Sequence, residues 1–348
     1  RTHRRHRADV RRVGSDDNAD FLLGALGEAG VNTTHVRRVL GPSGTTVITV
    51  DAHGENTIVY SPGSNAQVTV DYVESVRDAL THSTVLGLCL ESPIETVTAA
   101  ARMCHAAGVK VLLNDSPFTP SLPAELIEAS DILLVNEHEM AQLLGIDEPE
   151  NDDWDSFDWW HALDELRGFG FEQAIVTLGG DGSVVLDGTA DDPEHRVQRI
   201  APVRVKAVDT TGCGDSFMGT VLAGLASGLA LSESAELASY VSAYAATGYG
   251  AQRPTATRRR SARRSRPPNS PVIRFPPKKT IDVEMCLLRR WFGDFLMLPT
   301  AVWSGMVKRF RNGRVPWAPA LLYWSLAYFH ISNNWEGKHV GDSRRHSG

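Results

Sequence analysis

The chain has 348 residues, 42% of them hydrophobic, enough to bury the core of one large α/β domain or of two ordinary ones. Its formal net charge of −7 gives the molecule as a whole no electrostatic footprint of a nucleic-acid or anionic-membrane binder, so neither partner is expected. The four cysteines, Cys89, Cys104, Cys213 and Cys286, lack metal-ligand spacing and disulfide-scaffold density, which favours a reducing compartment, with the cytoplasm as default. No run of 18 apolar residues occurs, and the basic start Arg1 to Arg12 is not followed by an apolar core of signal-peptide type, so neither export nor a membrane span is expected.

From Val13 to Gly250 short β-branched or apolar runs alternate with alanine- and leucine-rich stretches, which is the pattern of an α/β fold. A helix is expected over Ala19 to Ala29, then strands over Thr45 to Asp51 and Asn56 to Tyr60. The strand Thr84 to Leu90 leads to the helix Ile94 to Ala107. The strand Val109 to Asn114 comes next, and the strand Ile132 to Asn136 runs straight into the helix Glu137 to Leu144. Past an acidic, tryptophan-bearing surface excursion, Asp147 to Asp158, come the helix Trp159 to Gly168 and the strands Gln173 to Leu178 and Gly182 to Asp187. The helices Asp215 to Gly228 and Ser232 to Thr247 close the series. Most of these strands are too apolar to face water on one side, which places them in a buried, largely parallel sheet.

Composition changes abruptly after Gln252: Arg253 to Arg266 hold seven arginines, Pro267 to Pro277 is proline-rich, and five of the eight tryptophans fall between Trp291 and Trp335. A basic run can meet nucleic acid or acidic lipid, and Trp291 to Ile331 can form a greasy partner surface. Without a sustained period, however, the tail is expected to be disordered or out of frame. The first dozen residues, rich in Arg and His, invite the same reading.

The segment from Val208 to Gly219, VDTTGCGDSFMG, is a glycine-punctuated turn that opens a helix. Gly212 and Gly214 let the backbone approach a ligand, and the amides of Gly212, Cys213, Gly214 and Asp215 at a helix N-terminus suit a phosphate. Asp215 beside that hole is placed to take the proton of an attacking hydroxyl. The bland alternative is that Asp caps the helix and the glycines serve only the turn.

DTTGCGD resembles the D-T-x-G-[AC]-G-D signature of the PfkB or ribokinase-like family of carbohydrate kinases. The resemblance implies a three-layer α/β/α fold with a mainly parallel sheet, and transfer of the ATP γ-phosphate to a sugar. It further implies Asp215 as catalytic base, Gly212, Cys213 and Gly214 as anion hole, and Asp209 and Thr211 as aids to a monovalent cation, K+. VNEHEM, Val135 to Met140, resembles the family's N-x-x-E motif, which implies that Asn136 and Glu139 organise Mg2+ and its water. TLGGDG resembles a nucleotide-contacting segment carrying Thr177, Gly179 and Gly182, and GYGAQ places Gly250 at the border of the adenine and cation sites.

GENTIVYSPGSN, Gly54 to Asn65, and LESP, Leu90 to Pro93, resemble ribokinase more than fructokinase or adenosine kinase. By that resemblance Glu91 hydrogen-bonds the sugar and D-ribose is the acceptor, with Glu91 as a mere helix-start residue the alternative. The match runs from Val13 and Gly14, at VGSDDNAD, to Gln252. The sugar-binding N-x-D and G-G-x-x-x-N motifs and part of the β lid do not occur before it. The expected organisation is therefore an unmatched basic start, residues 1–12, a truncated kinase domain, 13–252, and an unmatched tail, 253–348. A gene damaged or mis-read at both ends accounts for that layout. Three readings stay open: a sugar kinase, for which the resemblance makes a homodimer possible; an inactive remnant or a kinase for another sugar or a nucleoside; and an interaction module working through the basic tail.

Overall fold

Parallel strands buried on both faces need consecutive apolar side chains along their middle, and four successive runs of this chain meet that demand. In the computed structural model, which describes residues 6–50, 56–248 and 329–333, these runs are β5 (Val85–Cys89), β6 (Lys110–Asn114), β7 (Ile132–Asn136) and β8 (Gln173–Thr177), paired in parallel register. The antiparallel strands β9 (Ser183–Asp187) and β10 (Val197–Ile200) continue the sheet on one side. On the other side lie β11 (Phe329–Asn333), β1 (His6–Val13) and β2 (Asn32–Arg38), giving the order β10-β9-β8-β7-β6-β5-β11-β1-β2.

Alternation along the strands divides the core into two layers. Leu86, Leu88, Val111, Leu113, Leu133, Val135, Ala174 and Val176 pack under six helices. These are α2 (Val70–Glu74), α3 (Arg77–Thr81), α4 (Ile94–Ala106), α5 (Ala124–Glu128), α6 (Glu137–Leu144) and α7 (Trp159–Phe169). Val85, Leu112, Ile132, Leu134 and Ile175 face the opposite layer, formed by α8 (Cys213–Ala226) and α9 (Leu231–Ala245). The expected three-layer α/β/α arrangement is therefore present, with α1 (Asp17–Glu28) joining β1 to β2. No helix among the described residues is long and apolar enough to cross a membrane.

Two close approaches hold α8 in place. A Cβ on Gly87 of β5 would fall on the Leu222 and Met218 side-chain ends, so the glycine lets α8 settle directly on the strand. Further along, a Cβ on Gly224 would lie 2.5 Å from Ser234 Oγ, so α8 and α9 also touch closely. A separate antiparallel pair, β3 (Thr45–Val50) with β4 (Asn56–Ser61), forms a small two-stranded sheet of its own. Its root is tied to the main body: Ser43 donates to Asp16 from its amide at 2.7 Å and its hydroxyl at 2.6 Å, and Gly14 donates to Ser43 Oγ at 3.0 Å.

Four strands depart from expectation. β1 lies within the stretch expected to be unmatched, so the boundary at residue 13 falls at a strand's end rather than its beginning. Its period-two pattern is hidden because Asp9 and Arg11 are charged yet buried, at 0% and 4% exposure. Edge strands β2 and β10 have polar, half-exposed sequences that carry no strand signal. β11 comes from the tail expected to be disordered or out of frame, and it pairs antiparallel with both β5 and β1. The rest of the expectation for residues 253–348, like Gly250, lies outside the described residues.

A Cβ on Gly14 would sit 2.5 Å from the Gly41 carbonyl oxygen and closer still to the Ser43 amide nitrogen. Backbone cannot swing aside as a side chain can, so Gly14→Ala is expected to destabilise the protein by more than about 1 kcal/mol in denaturant unfolding.

Candidate active site

All four parallel strands end at the same edge, and the residues that follow them carry the chemistry expected of a crevice there. Cys89 ends β5 and is followed two residues later by Glu91; Asp115 follows β6, Asn136 ends β7 and Thr177 ends β8. Helix α8 brings its N-terminus over the β5 end. Its cap, Gly212, has φ 79° and ψ 6°, the left-handed conformation that disfavours a side chain.

The first turn of α8 differs in one respect from the expected anion hole. The Cys213 amide donates to the Thr210 carbonyl at 3.1 Å, closing the turn. Its thiol points to the Ser242 carbonyl at 3.6 Å while the Ser242 hydroxyl donates to the Cys213 carbonyl at 3.1 Å. Burial raises the Cys213 thiol above its ordinary pKa, which suits packing rather than nucleophilic attack. The amides of Gly214 and Asp215 meet no protein acceptor among the described residues, and a Cβ on Gly214 would meet nothing within 4 Å. An accessible pair of first-turn donors is what an anion needs.

The Asp215 carboxyl is pushed up to about 7 by burial, with the Arg11 guanidinium pulling it down. Glu91 is pushed up to about 8, by burial first and then by the like charge of Asp215, again against Arg11. Its Oε2 is buried without a hydrogen-bond partner among the described residues. The Glu91 backbone is held by Tyr60, whose hydroxyl donates to the Glu91 carbonyl at 3.0 Å, and Asn65 in turn donates to that hydroxyl at 2.9 Å. Asp215 and Glu91, far apart in the chain, thus come close enough for the charge of one to raise the other.

The second half of the site lies over β6, β7 and β8. Asn136 and Glu139 form a reciprocal cap at α6: the Glu139 amide donates to Asn136 Oδ1 at 2.8 Å and the Asn136 amide donates to Glu139 Oε2 at 2.8 Å. Both are therefore locked in place, and Glu139 is raised mainly by burial. Thr177 is the register partner of Asn136 across β7 and β8. Gly179, at φ 52°, and Gly182, at φ 96°, shape the turn from β8 to β9. Asp209 Oδ1 accepts from the Thr211 amide at 2.9 Å in the loop before α8.

Sequence reasoning missed Asp115 and Arg11. Asp115 is fully buried, its Oδ1 accepts from the Thr119 amide at 3.0 Å, and its Oδ2 has no partner among the described residues. Burial, with the Glu139 charge adding to it, pushes Asp115 up to about 7. An acid ending an apolar run, LLND, was the available signal. Among the described residues no three His, Cys, Asp or Glu groups form a ready-made metal cage. The oxygens of Asp115, Asn136 and Glu139 nonetheless fit Mg2+, which takes one or two carboxylates and fills its remaining positions with water and phosphate.

The family model of the pfkB family carbohydrate kinases matches residues 10–258. A ribokinase of Schizosaccharomyces pombe is 33% identical over 243 residues, covering 69% of this chain and 73% of the relative. A deoxyribokinase of Salmonella typhimurium is 31% identical over 210 residues, covering 60% and 65%. The solved structure of Arabidopsis thaliana ribokinase complexed with ribose and ATP superposes with a TM-score of 0.59 at 26% identity, covering 70% of this chain and 76% of that one.

Two outcomes follow for stability. Asn136→Ala removes the reciprocal cap of α6 and is expected to cost about 0.5–2 kcal/mol in urea unfolding. Glu91, Asp115 and Asp215 hold their protons more tightly folded than unfolded, so the stability they contribute is full below their unfolded values, 4.5 for Glu91 and 3.8 for the aspartates, and is lost as pH rises through their folded values of about 7 to 8. The denaturation midpoint is expected to fall as pH rises from about 4.5 to about 8, and to fall less in Glu91→Gln.

Proposed function

Because the chain belongs to the pfkB family of carbohydrate kinases and is an ATP-dependent phosphotransferase acting on a sugar hydroxyl, we propose that it phosphorylates the primary hydroxyl of D-ribose to give ribose 5-phosphate. What carries this reading is the Glu91 carboxyl, raised in part by the charge of Asp215, together with the amides of Gly214 and Asp215, which meet no protein acceptor among the described residues. One carboxylate can take a proton while the other holds the sugar hydroxyls. Relatives named ribokinase, at about 30% identity over some two thirds of the chain, favour ribose over other acceptors.

In this mechanism Asp215 accepts the proton of the primary hydroxyl as its oxygen attacks the γ-phosphorus in line and ADP departs. The amides of Gly214 and Asp215, on the turn shaped by Gly212, neutralise charge on the transferred group. Glu91 orients the sugar. Thr177, Gly179 and Gly182 border the nucleotide, and Gly250 belongs with them in the reading of the motifs. Asp115, Glu139 and Asn136 would hold Mg2+, directly or through water, and the ion would offset the negative charge of the phosphates. Asp209 and Thr211 offer the oxygen donors that K+ takes, with the loop drawn tight by their mutual hydrogen bond. A carboxyl that titrates near 7 suits a base working at neutral pH. A homodimer formed through the β3–β4 sheet is part of the proposal, because Val47 and Val59, paired across it, are both exposed at 60% and 59%. A cytoplasmic location accompanies it.

The test is ADP release with Mg2+ and K+ present, using D-ribose, 2-deoxyribose, fructose and adenosine as acceptors. Transfer to ribose is expected to exceed the others, and kcat/KM is expected to rise with pH through about 7 as Asp215 ionises. Asp215→Asn is expected to lower turnover by at least about a hundredfold while ATP affinity stays within a few fold. A folded protein that transfers phosphate to none of these acceptors would leave the inactive-remnant reading in place.

A further inference from the structure

Strand β1 carries charge where a buried strand ordinarily carries apolar side chains. Ala8 and Val10 point into the layer of α2 to α7, so the strand's period of two sends Asp9 and Arg11 to the face on which α8 lies. The two are buried and paired with each other. Register then sets their height in the sheet. Asp9 stands opposite His330 of β11, and His330 opposite Gly87 of β5, so Arg11, two residues further along, lies level with the C-terminal end of β5. That is the edge from which Glu91 follows and over which the N-terminus of α8 sits. Burial raises the Asp9 carboxyl while the Arg11 guanidinium opposes the rise.

The groups facing Asp215 can be named element by element. Arg11, with Asp9 behind it, comes from β1 and Glu91 from the end of β5; Cys213 lies on α8 itself, and Asp209, in the loop before α8, faces Cys213. Arg11 is the cation of this set: its register places it level with the end of β5, and its charge lowers both Asp215 and Glu91 against the rise that burial gives them. A buried ion pair is rarely more stabilising than apolar residues of the same volume, so stability alone does not account for charge at this spot.

We propose that Arg11 is a positioning residue for phosphotransfer: anchored by Asp9, its guanidinium supplies the positive charge that the Asp215 carboxylate faces across the acceptor site. The inference rests on Asp215 being the base of the proposed reaction. With the charge fixed in advance, more of Asp215 is ionised when it meets the acceptor hydroxyl than its burial alone would allow. Asp9, two residues away on the same face of β1, pairs with the guanidinium and so limits where it can lie.

The test uses Asp9→Asn/Arg11→Met, which removes both halves of the pair so that neither is left buried without the other, with Arg11→Gln as a second neutral variant and Arg11→Lys as the charge-conserving one. Titration of the isotope-labelled Asp215 carboxyl by NMR, assigned by its loss in Asp215→Asn, needs folded protein and no turnover. In the neutral variants that titration is expected to move up by about one pH unit or more. The acidic limb of kcat should move with it, KM for ATP should stay unchanged, and Arg11→Lys should restore much of the original midpoint. An Asp215 titration that does not move in either folded neutral variant overturns the proposal. A wild-type chain without turnover would instead count against the ribose kinase reading, with the NMR titration still deciding on Arg11.

Discussion

Strands β5 to β8 have apolar side chains on both faces, and such strands can exist only between two helical layers. Parallel connection through those layers brings every strand out at the same edge. Glu91, Asp115, Asn136 and Thr177, scattered over nearly ninety residues of chain, converge there because the topology leaves them nowhere else to go. Helix α8 adds the remaining part. It can reach the β5 end because Gly87 has no side chain to hold it off and because Gly224 lets α9 press on it from behind. Any change in the sheet's two-sided burial would move the donors of the α8 first turn away from the carboxylates they face.

The same burial determines the electrostatics. Three carboxyls, Glu91, Asp115 and Asp215, sit where water is scarce and are raised into the neutral range, each with burial as the first cause. Folding places them there at a cost to stability above neutral pH, a compromise typical of sites that move protons or hold cations. Asn136 and Glu139 behave differently, since each satisfies the other's backbone and both are fixed before any ligand arrives. The site therefore combines a rigid capped pair with acids whose charge state is free to change.

On the other side of β5 the sheet is completed by unusual means. β11 runs antiparallel between β5 and β1, in a sheet otherwise parallel at its centre. β1 then presents Asp9 and Arg11 to the α8 face, where the central strands present apolar side chains such as Val85, Leu112 and Ile132. The charged pair gives this chain a cation on the side of the sheet from which Asp215 approaches.

Much of this was legible in the sequence, and the reason is local. Two-sided apolar runs announce buried parallel strands and the glycine spacing of VDTTGCGD announces a turn into a helix, so β5 to β8, α8 and Asp215 could be placed from neighbours alone, whereas Asn136, Glu139, Thr177 and Glu91 stood out only by resemblance to family motifs and Asp115 did not stand out at all. Features that depend on distant partners could not. Asp9 and Arg11 read as a solvated basic start because a buried charge is tolerable only when its partner is buried with it. β2, β10 and β11 carry no strand signal of their own and are strands because another strand's edge needs their backbone groups. The Cys213 amide looks available until the turn closes on Thr210. Residue chemistry and short-range period thus determined the fold class and the candidate base. Which amides stay open, which carboxyls gain protons and which cation stands beside them were decided by tertiary structure, because burial and electrostatic proximity are properties of packed neighbours and not of the order of residues along the chain.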